Sequence, residues 1–172
     1  MKNIFVAQPD PNEVRNRTSG IVGQVTVWFP VVLAAAVIAL ESTETMGGNH
    51  TSGFLRPIFE ALFGHFRDPN WDVLHHLIRK TGHFVGYGLV CLSFLRAWLL
   101  TFARRAELSA WAWRLQSCVA AILSTAAIAS LDEWHQTYLP NRTGLASDVL
   151  LDTCGATVLC LLIWLIFWRR RT

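Results

Sequence analysis

Eight charged or polar side chains lie at the ends of apolar runs that are long enough to cross a membrane. They are the acids Asp132, Glu133, Asp148 and Asp152, together with Lys80, His83, Gln136 and Arg142. A charged side chain at membrane depth costs about 2.5–3.5 kcal/mol on insertion scales. Because a short chain would otherwise lose such residues, we expect the function to lie in this cluster.

Lys80, His83 and Tyr87 have the spacing i, i+3, i+7, which places them on one face of a helix. An imidazole there can hold or pass a proton near neutral pH. A neighbouring lysine can bind an anion or pair with a carboxylate. The plainer interpretation is a snorkelling lysine and an interfacial tyrosine. Gly82 and Gly86 lie beside this face, and we expect them to let a neighbouring helix approach closely.

Asp148 and Asp152 are one helical turn apart, so their charges repel. Such a pair persists if a cation binds, if one acid stays protonated, or if Lys80 and Arg142 reach across. The cluster carries two positive and four negative charges when its histidine is neutral. We therefore predict a protonated acid, contact with water, or a bound divalent cation with Glu133, Asp148 and Asp152 as candidate ligands. A purely structural salt-bridge network is the alternative.

The composition indicates an integral membrane protein that is all-α. Of the 172 residues, 52% are hydrophobic and only 16% are charged, against about 25% charged in soluble domains. Mean hydropathy is positive at +0.34. The net charge of +3 comes without a basic stripe, so no nucleic-acid partner is expected.

A spanning helix needs about 20 mostly apolar residues. Four segments qualify, at about 21–40, 82–102, 111–133 and 148–168. Pro30 lies inside the first and predicts a kink. Asp68 and Pro69 resemble a helix start, so the second helix could begin near Trp71 and run unbroken to Phe102.

The loop after the first span contains an apolar stripe. Phe54, Ile58, Leu62 and Phe66 are spaced four apart, which is a helical period. An amphipathic helix over residues 54–66 could lie in the plane of the interface. It could instead cap the polar cluster, and the sequence leaves both interpretations open.

The distribution of lysine and arginine predicts that both termini are cytoplasmic. Residues 1–20 are mostly polar and are expected to be a disordered cytoplasmic tail. Residues 21–168 are expected to form a single transmembrane domain, and residues 169–172 a basic cytoplasmic end. With this orientation, all the costly polar side chains lie at one depth near the outer face.

Several motifs, in chain order, carry a resemblance to a known family. They are Lys80-x-x-His83-x-x-x-Tyr87, Asp132-Glu133-x-x-Gln136, Pro140-x-Arg142, Asp148 and Gly155. Together they resemble the VanZ-like membrane proteins over about residues 70–168. One departure is visible, because the family commonly has asparagine four residues after the fourth-span aspartate, where this chain has Asp152.

The VanZ-like family takes its name from a protein associated with resistance to the glycopeptide teicoplanin. The resemblance therefore implies a multi-pass protein of the bacterial cytoplasmic membrane that acts at the outer leaflet. The expected partners are membrane lipids and a lipid-linked envelope precursor or a lipoglycopeptide. An oligomer is also compatible with four spans.

Two main classes of function follow. The first is a non-catalytic protein that binds a lipid-linked envelope component or another amphiphile. Its candidate ligand-binding residues are Lys80, His83, Tyr87, Gln136, Arg142, Asp148 and Asp152. The second is a membrane-embedded enzyme that modifies a lipid headgroup, with His83, Asp132 and Glu133 as candidate catalytic residues. Lys80 and Arg142 would stabilise developing negative charge, and a divalent cation could assist. An ion- or proton-coupled transporter is a third alternative.

Overall fold

A computed structural model describes residues 3–43, 48–105, 107–140 and 142–169, and every regular element in these ranges is helical. The helices are α1 (Pro11–Thr18), α2 (Gly20–Glu41), α3 (Gly48–Phe63), α4 (Asp68–Phe102), α5 (Ala110–Gln136) and α6 (Ala146–Ile163), and α6 continues as a π-helical turn over Trp164–Trp168. Helices α2, α4, α5 and α6 with its π-turn are long and apolar enough to cross a membrane. The predicted all-α fold with four spans is confirmed.

Helices α4, α5 and α6 pack around one another, and α2 packs mainly against α4. Buried aliphatic side chains such as Val90, Leu95 and Ala156 fill the space between them. Large apolar side chains also cover the outside of the bundle; on α2, Ile21 is 84% exposed and Phe29 is 58% exposed. In water such a surface would be a liability, whereas in a bilayer it is the normal lipid-facing surface.

We call the end of the bundle where α2 and α5 finish and α6 begins the acidic end. The helix α4 begins well before the predicted apolar run, at Asp68. The interpretation of one unbroken helix to Phe102 is therefore correct, and its first turns project beyond the apolar part of the bundle. Lys80 and His83 lie on this helix opposite Asp148 and Asp152, in the first two turns of α6.

Pro30 lies within a continuous helix α2. Proline has no N–H, so the carbonyl four residues earlier, on Thr26, loses its helical partner. Arg96 of α4 donates from Nη1 to the carbonyls of Thr26 (3.3 Å) and Val27 (3.2 Å). A guanidinium inside a span therefore satisfies the carbonyl that a proline left free.

The prediction of a disordered tail at residues 1–20 is wrong for its described part. Asp10 caps α1 by accepting a hydrogen bond from the N–H of Asn12, and Pro11 begins the helix. Ile4 and Val14 are buried, and Trp168 donates from its indole to the carbonyl of Phe5. The prediction failed because it used the average polarity of the segment, which does not reveal a few apolar side chains that pack against the bundle. Of the predicted basic end, residues 170–172 lie outside the described residues.

The predicted amphipathic helix exists as α3, and it packs against the first turns of α4. Trp71 donates from its indole to the Ser52 hydroxyl at 2.6 Å, and Thr51 hydrogen-bonds His75 at 3.1 Å. The predicted helix reached Phe66, whereas α3 ends at Phe63, and Phe66 packs against Trp71 instead. The rest of the predicted apolar stripe is exposed on the other side, with Phe54 and Leu62 both 71% exposed. Helix α3 therefore has one face on the protein and one apolar face that the described protein does not cover.

Candidate functional site

The site depends on a close crossing of α4 and α6 at Gly155. A Cβ added there would lie 2.1 Å from the carbonyl oxygen of Phe84, so only glycine fits. Because these two helices run in the same direction, the contact also aligns their earlier turns. Lys80 then faces Asp148, and His83 faces Asp152.

Lys80 and Asp148 form an ion pair, with Nζ donating to Oδ1 at 2.5 Å. The lysine side chain is 30% exposed and the aspartate 18%. This is one of the arrangements that the sequence predicted for relieving the charge repulsion on α6. Its consequence is that Lys80 is already neutralised by a partner and is a poor candidate for holding a free anion.

Asp132 is held by neutral donors. Its Oδ2 accepts hydrogen bonds from the Tyr87 hydroxyl and from Gln136 Nε2, both at 3.0 Å. Asp132, Tyr87 and Gln136 line a small cavity of about 20 Å³ together with His83. The motif residues of α4 and α5 therefore interact directly.

Glu133 faces the start of α6. Its Oε2 accepts the backbone N–H of Leu145 at 2.9 Å. Gly144 makes this possible, because a Cβ there would lie 2.1 Å from the carbonyl oxygen of Glu133. The other carboxylate oxygen, Oε1, is buried without a hydrogen-bond partner among the described residues.

His83, Glu133 and Asp152 form a cluster in the middle of the three helices. One ligand atom from each residue lies within 4.8 Å of the other two. His83 Nδ1 is 3.6 Å from Asp152 Oδ1, which is too long for a hydrogen bond. We call these three residues the buried triad. Asp148, which the sequence grouped with Glu133 and Asp152, forms an ion pair with Lys80 and lies outside this cluster.

Arg142 does not reach the acids. Its Nη2 donates to the carbonyls of Glu41 (2.8 Å) and Thr43 (3.2 Å) at the end of α2. A cation at a helix C-terminus is favourable because the last carbonyls carry partial negative charge. Its Nε is buried without a hydrogen-bond partner among the described residues. Burial, followed by repulsion from Arg79, lowers the pKa of Arg142.

Two adjoining cavities border Arg79, His83 and Arg142 at the acidic end. The first, which we call the polar cavity, has a volume of about 170 Å³ and is lined by His76, Arg79, Lys80, His83, Gln136, Arg142, Thr143, Leu145 and Asp148. The second, the side cavity, has a volume of about 370 Å³ and is lined by Glu41, Thr51, Leu55, Arg79, Gly82, His83, Gly86 and Arg142. Arg79, His83 and Arg142 border both, so the cavities adjoin.

Sequence reasoning missed Arg79 and His76 as cavity residues. Helical spacing could have indicated both residues, because Arg79 lies one turn before His83 and His76 lies one turn before Lys80. The expectation that Gly82 and Gly86 admit a neighbouring helix is wrong, since an added Cβ at either would meet nothing within 4 Å. These glycines instead line the side cavity, and Gly155 makes the close helix contact.

Comparison with known families identifies the chain. A family model described as VanZ/LLP1 matches residues 4–168, which is nearly the whole chain. The match extends beyond the region of about 70–168 in which motifs were recognised. No curated protein and no solved structure shows significant similarity to the chain. The motifs and the family match agree, and the chain belongs to the VanZ/LLP1 family of membrane proteins.

Proposed function

We propose that this protein binds the anionic headgroup of an amphiphile, such as a lipid-linked envelope component, in the polar cavity at the outer leaflet. One observation carries the proposal: Arg79 and Arg142 border the same cavity, and no carboxylate of the described residues forms an ion pair with either. The remaining charges lining this cavity, Lys80 and Asp148, neutralise each other. The cavity therefore has an excess of positive charge.

Guanidinium groups suit this task because their planar N–H forks match phosphate and carboxylate oxygens. Burial, and after it repulsion from Arg79, lowers the pKa of Arg142. A bound anion would relieve this repulsion. Arg79 forms none of the hydrogen bonds described within the protein, so its guanidinium is the more available of the two.

The side cavity supports an amphiphile rather than a small free anion. Leu55, Gly82 and Gly86 give this cavity apolar wall surface next to the two arginines. A headgroup in the polar cavity could therefore leave its hydrocarbon chain along α4. Leu55 of α3 also lines this cavity, and the exposed apolar face of the same helix suits contact with lipid.

Replacing Arg79 with glutamine is expected to weaken binding of an anionic lipid about tenfold or more. A hydrogen bond to a charged group contributes about 1.5–3 kcal/mol, and 1.4 kcal/mol is a factor of ten. The measurement is native mass spectrometry of purified protein titrated with phosphatidylglycerol, with phosphatidylcholine as the neutral lipid.

The matched control is Arg67→Gln, which removes an exposed arginine just before α4, outside both cavities. We expect this variant to bind phosphatidylglycerol like the wild type. Equal affinity of the wild type and Arg79→Gln would contradict the proposal. Equal binding of both lipids by the wild type would also contradict it, because the headgroup charge would then play no part.

We propose that the acidic end faces outward and that both termini are cytoplasmic. Helix α1 and the opposite end of the bundle carry the basic residues Arg15, Arg17, Arg104, Arg105, Arg114 and Arg169, and such residues are retained on the cytoplasmic side. A green fluorescent protein fused to the C-terminus should fluoresce, and an alkaline phosphatase fusion there should be inactive. An active phosphatase would place the polar cavity on the cytoplasmic side.

A further inference from the structure

We propose that His83, Glu133 and Asp152 form a binding site for one divalent transition-metal ion, with Zn²⁺ as the best match. The three ligands come from three different helices, α4, α5 and α6, and lie beneath the polar cavity. This inference goes beyond headgroup binding and does not depend on it. It differs from the sequence expectation, which placed the cation on Glu133, Asp148 and Asp152.

The first argument is unsatisfied hydrogen-bonding capacity. Asp152 is 0% exposed, yet neither of its carboxylate oxygens has a hydrogen-bond partner among the described residues. Glu133 is 4% exposed, and its Oε1 is likewise unpartnered, as is Nδ1 of His83. Buried polar atoms are nearly always partnered in folded proteins. Each of the three residues offers a ligand atom within 4.8 Å of the other two, so one bound cation could satisfy all three.

The second argument is charge. Two carboxylates in the buried triad carry two negative charges when ionised, and no lysine or arginine of the described residues forms an ion pair with either of them. Lys80 pairs with Asp148, and Arg142 binds carbonyls at the end of α2. Asp132 lies next to Glu133 in the chain, and as an acid it cannot balance the negative charge of the triad. One divalent cation would neutralise both carboxylates of the triad. Neutralisation matters here because uncompensated charge is costly in a buried site of low dielectric constant.

The third argument is geometry and donor type. Bonds from zinc to nitrogen or oxygen are about 2.0–2.2 Å long, so tetrahedral ligand atoms lie about 3.4 Å apart. His83 Nδ1 and Asp152 Oδ1 are already 3.6 Å apart, and no pair exceeds 4.8 Å. One imidazole nitrogen with two carboxylates suits zinc or manganese better than magnesium or calcium, which prefer oxygen alone. Three protein ligands leave a tetrahedral ion one further position.

The test uses full-length protein without a polyhistidine tag, stripped of metal and of lipid, so that headgroup binding plays no part. The metal-free protein is then incubated with Zn²⁺ and desalted. We expect the wild type to retain about one Zn²⁺ per chain, and we expect Zn²⁺ to raise its unfolding temperature. Asp152→Asn and His83→Gln should each bind Zn²⁺ at least tenfold more weakly. Asp72→Asn is the matched control, because it makes the same change at an exposed acid of α4 that lies outside the triad and outside both cavities. This variant should stay within threefold of the wild type.

A second measurement uses only the wild type, so it does not depend on whether the variants fold. Co²⁺ added to the metal-free wild type should give visible absorption bands typical of tetrahedral coordination, and Zn²⁺ should abolish them. The proposal is overturned if the wild type retains no Zn²⁺ or Mn²⁺ and gives no such bands. It is also overturned if all variants bind Zn²⁺ alike, since surface histidines would then be the ligands.

Discussion

Gly155→Ala is expected to destabilise the protein by about 1–3 kcal/mol, the usual cost of forcing an extra methyl group into a closely packed contact. The new Cβ would lie 2.1 Å from the Phe84 carbonyl oxygen and 3.0 Å from its carbon. Backbone atoms cannot rotate away as a flexible side chain can. Helices α4 and α6 must therefore separate, and His83 would move away from Asp152.

Thermal unfolding followed by tryptophan fluorescence in detergent would measure this effect. Gly82→Ala is the matched control, because an alanine there meets nothing within 4 Å. Replacing a helical glycine with alanine favours the helix by up to about 1 kcal/mol, so the control should be as stable as the wild type or more so. If Gly155→Ala unfolds at the wild-type temperature, the helices do not cross at this glycine.

The second large effect is expected from Lys80→Met. This change leaves Asp148, only 18% exposed, without its cation. Removing one partner of a fully buried ion pair costs about 3–5 kcal/mol. Because this pair keeps some contact with water, we expect a loss of about 1–3 kcal/mol.

A double-mutant cycle measures the interaction free energy between Lys80 and Asp148 separately from the contacts that each makes with other residues. Lys80→Met combined with Asp148→Leu should be more stable than Lys80→Met alone, since no uncompensated charge remains. The measured quantity is the free energy of unfolding of the wild type, both single variants and the double variant. If the losses in the free energy of unfolding are strictly additive, Lys80 and Asp148 do not interact. Lys80 would then be available to bind an anion.

Part of the candidate site was predictable because helical spacing and membrane depth act locally along the chain. The four apolar runs, the extension of the second helix towards Trp71 and the helix around residues 54–66 all follow from period and length. Polar residues placed at the ends of such runs had to meet at one depth. For that reason Asp132 and Gln136 were expected at the depth of His83. In the structure Asp132 accepts hydrogen bonds from Gln136 and also from Tyr87.

The pairing among the acids and cations was not predictable, since several partners lie within reach at the same depth. Which of Asp148 and Asp152 meets Lys80 depends on the register between α4 and α6. The close approach of Gly155 to the Phe84 backbone, and of Gly88 to Gly155, fixes how α4 and α6 align. Arg142 similarly had a carbonyl-capping role at α2 that no spacing along the chain could indicate.

By itself, the sequence determined the membrane-spanning helices, the depth of the charged side chains and the family, because hydropathy, helical period and ordered motifs are properties of consecutive residues. Only the tertiary structure decided that the N-terminal segment folds against the bundle and that Arg79 joins Arg142 at one cavity. It also decided that His83, rather than Asp148, completes the buried triad with Glu133 and Asp152. These outcomes depend on how close helix backbones approach and in which register, and those distances are set by packing between segments far apart in the chain.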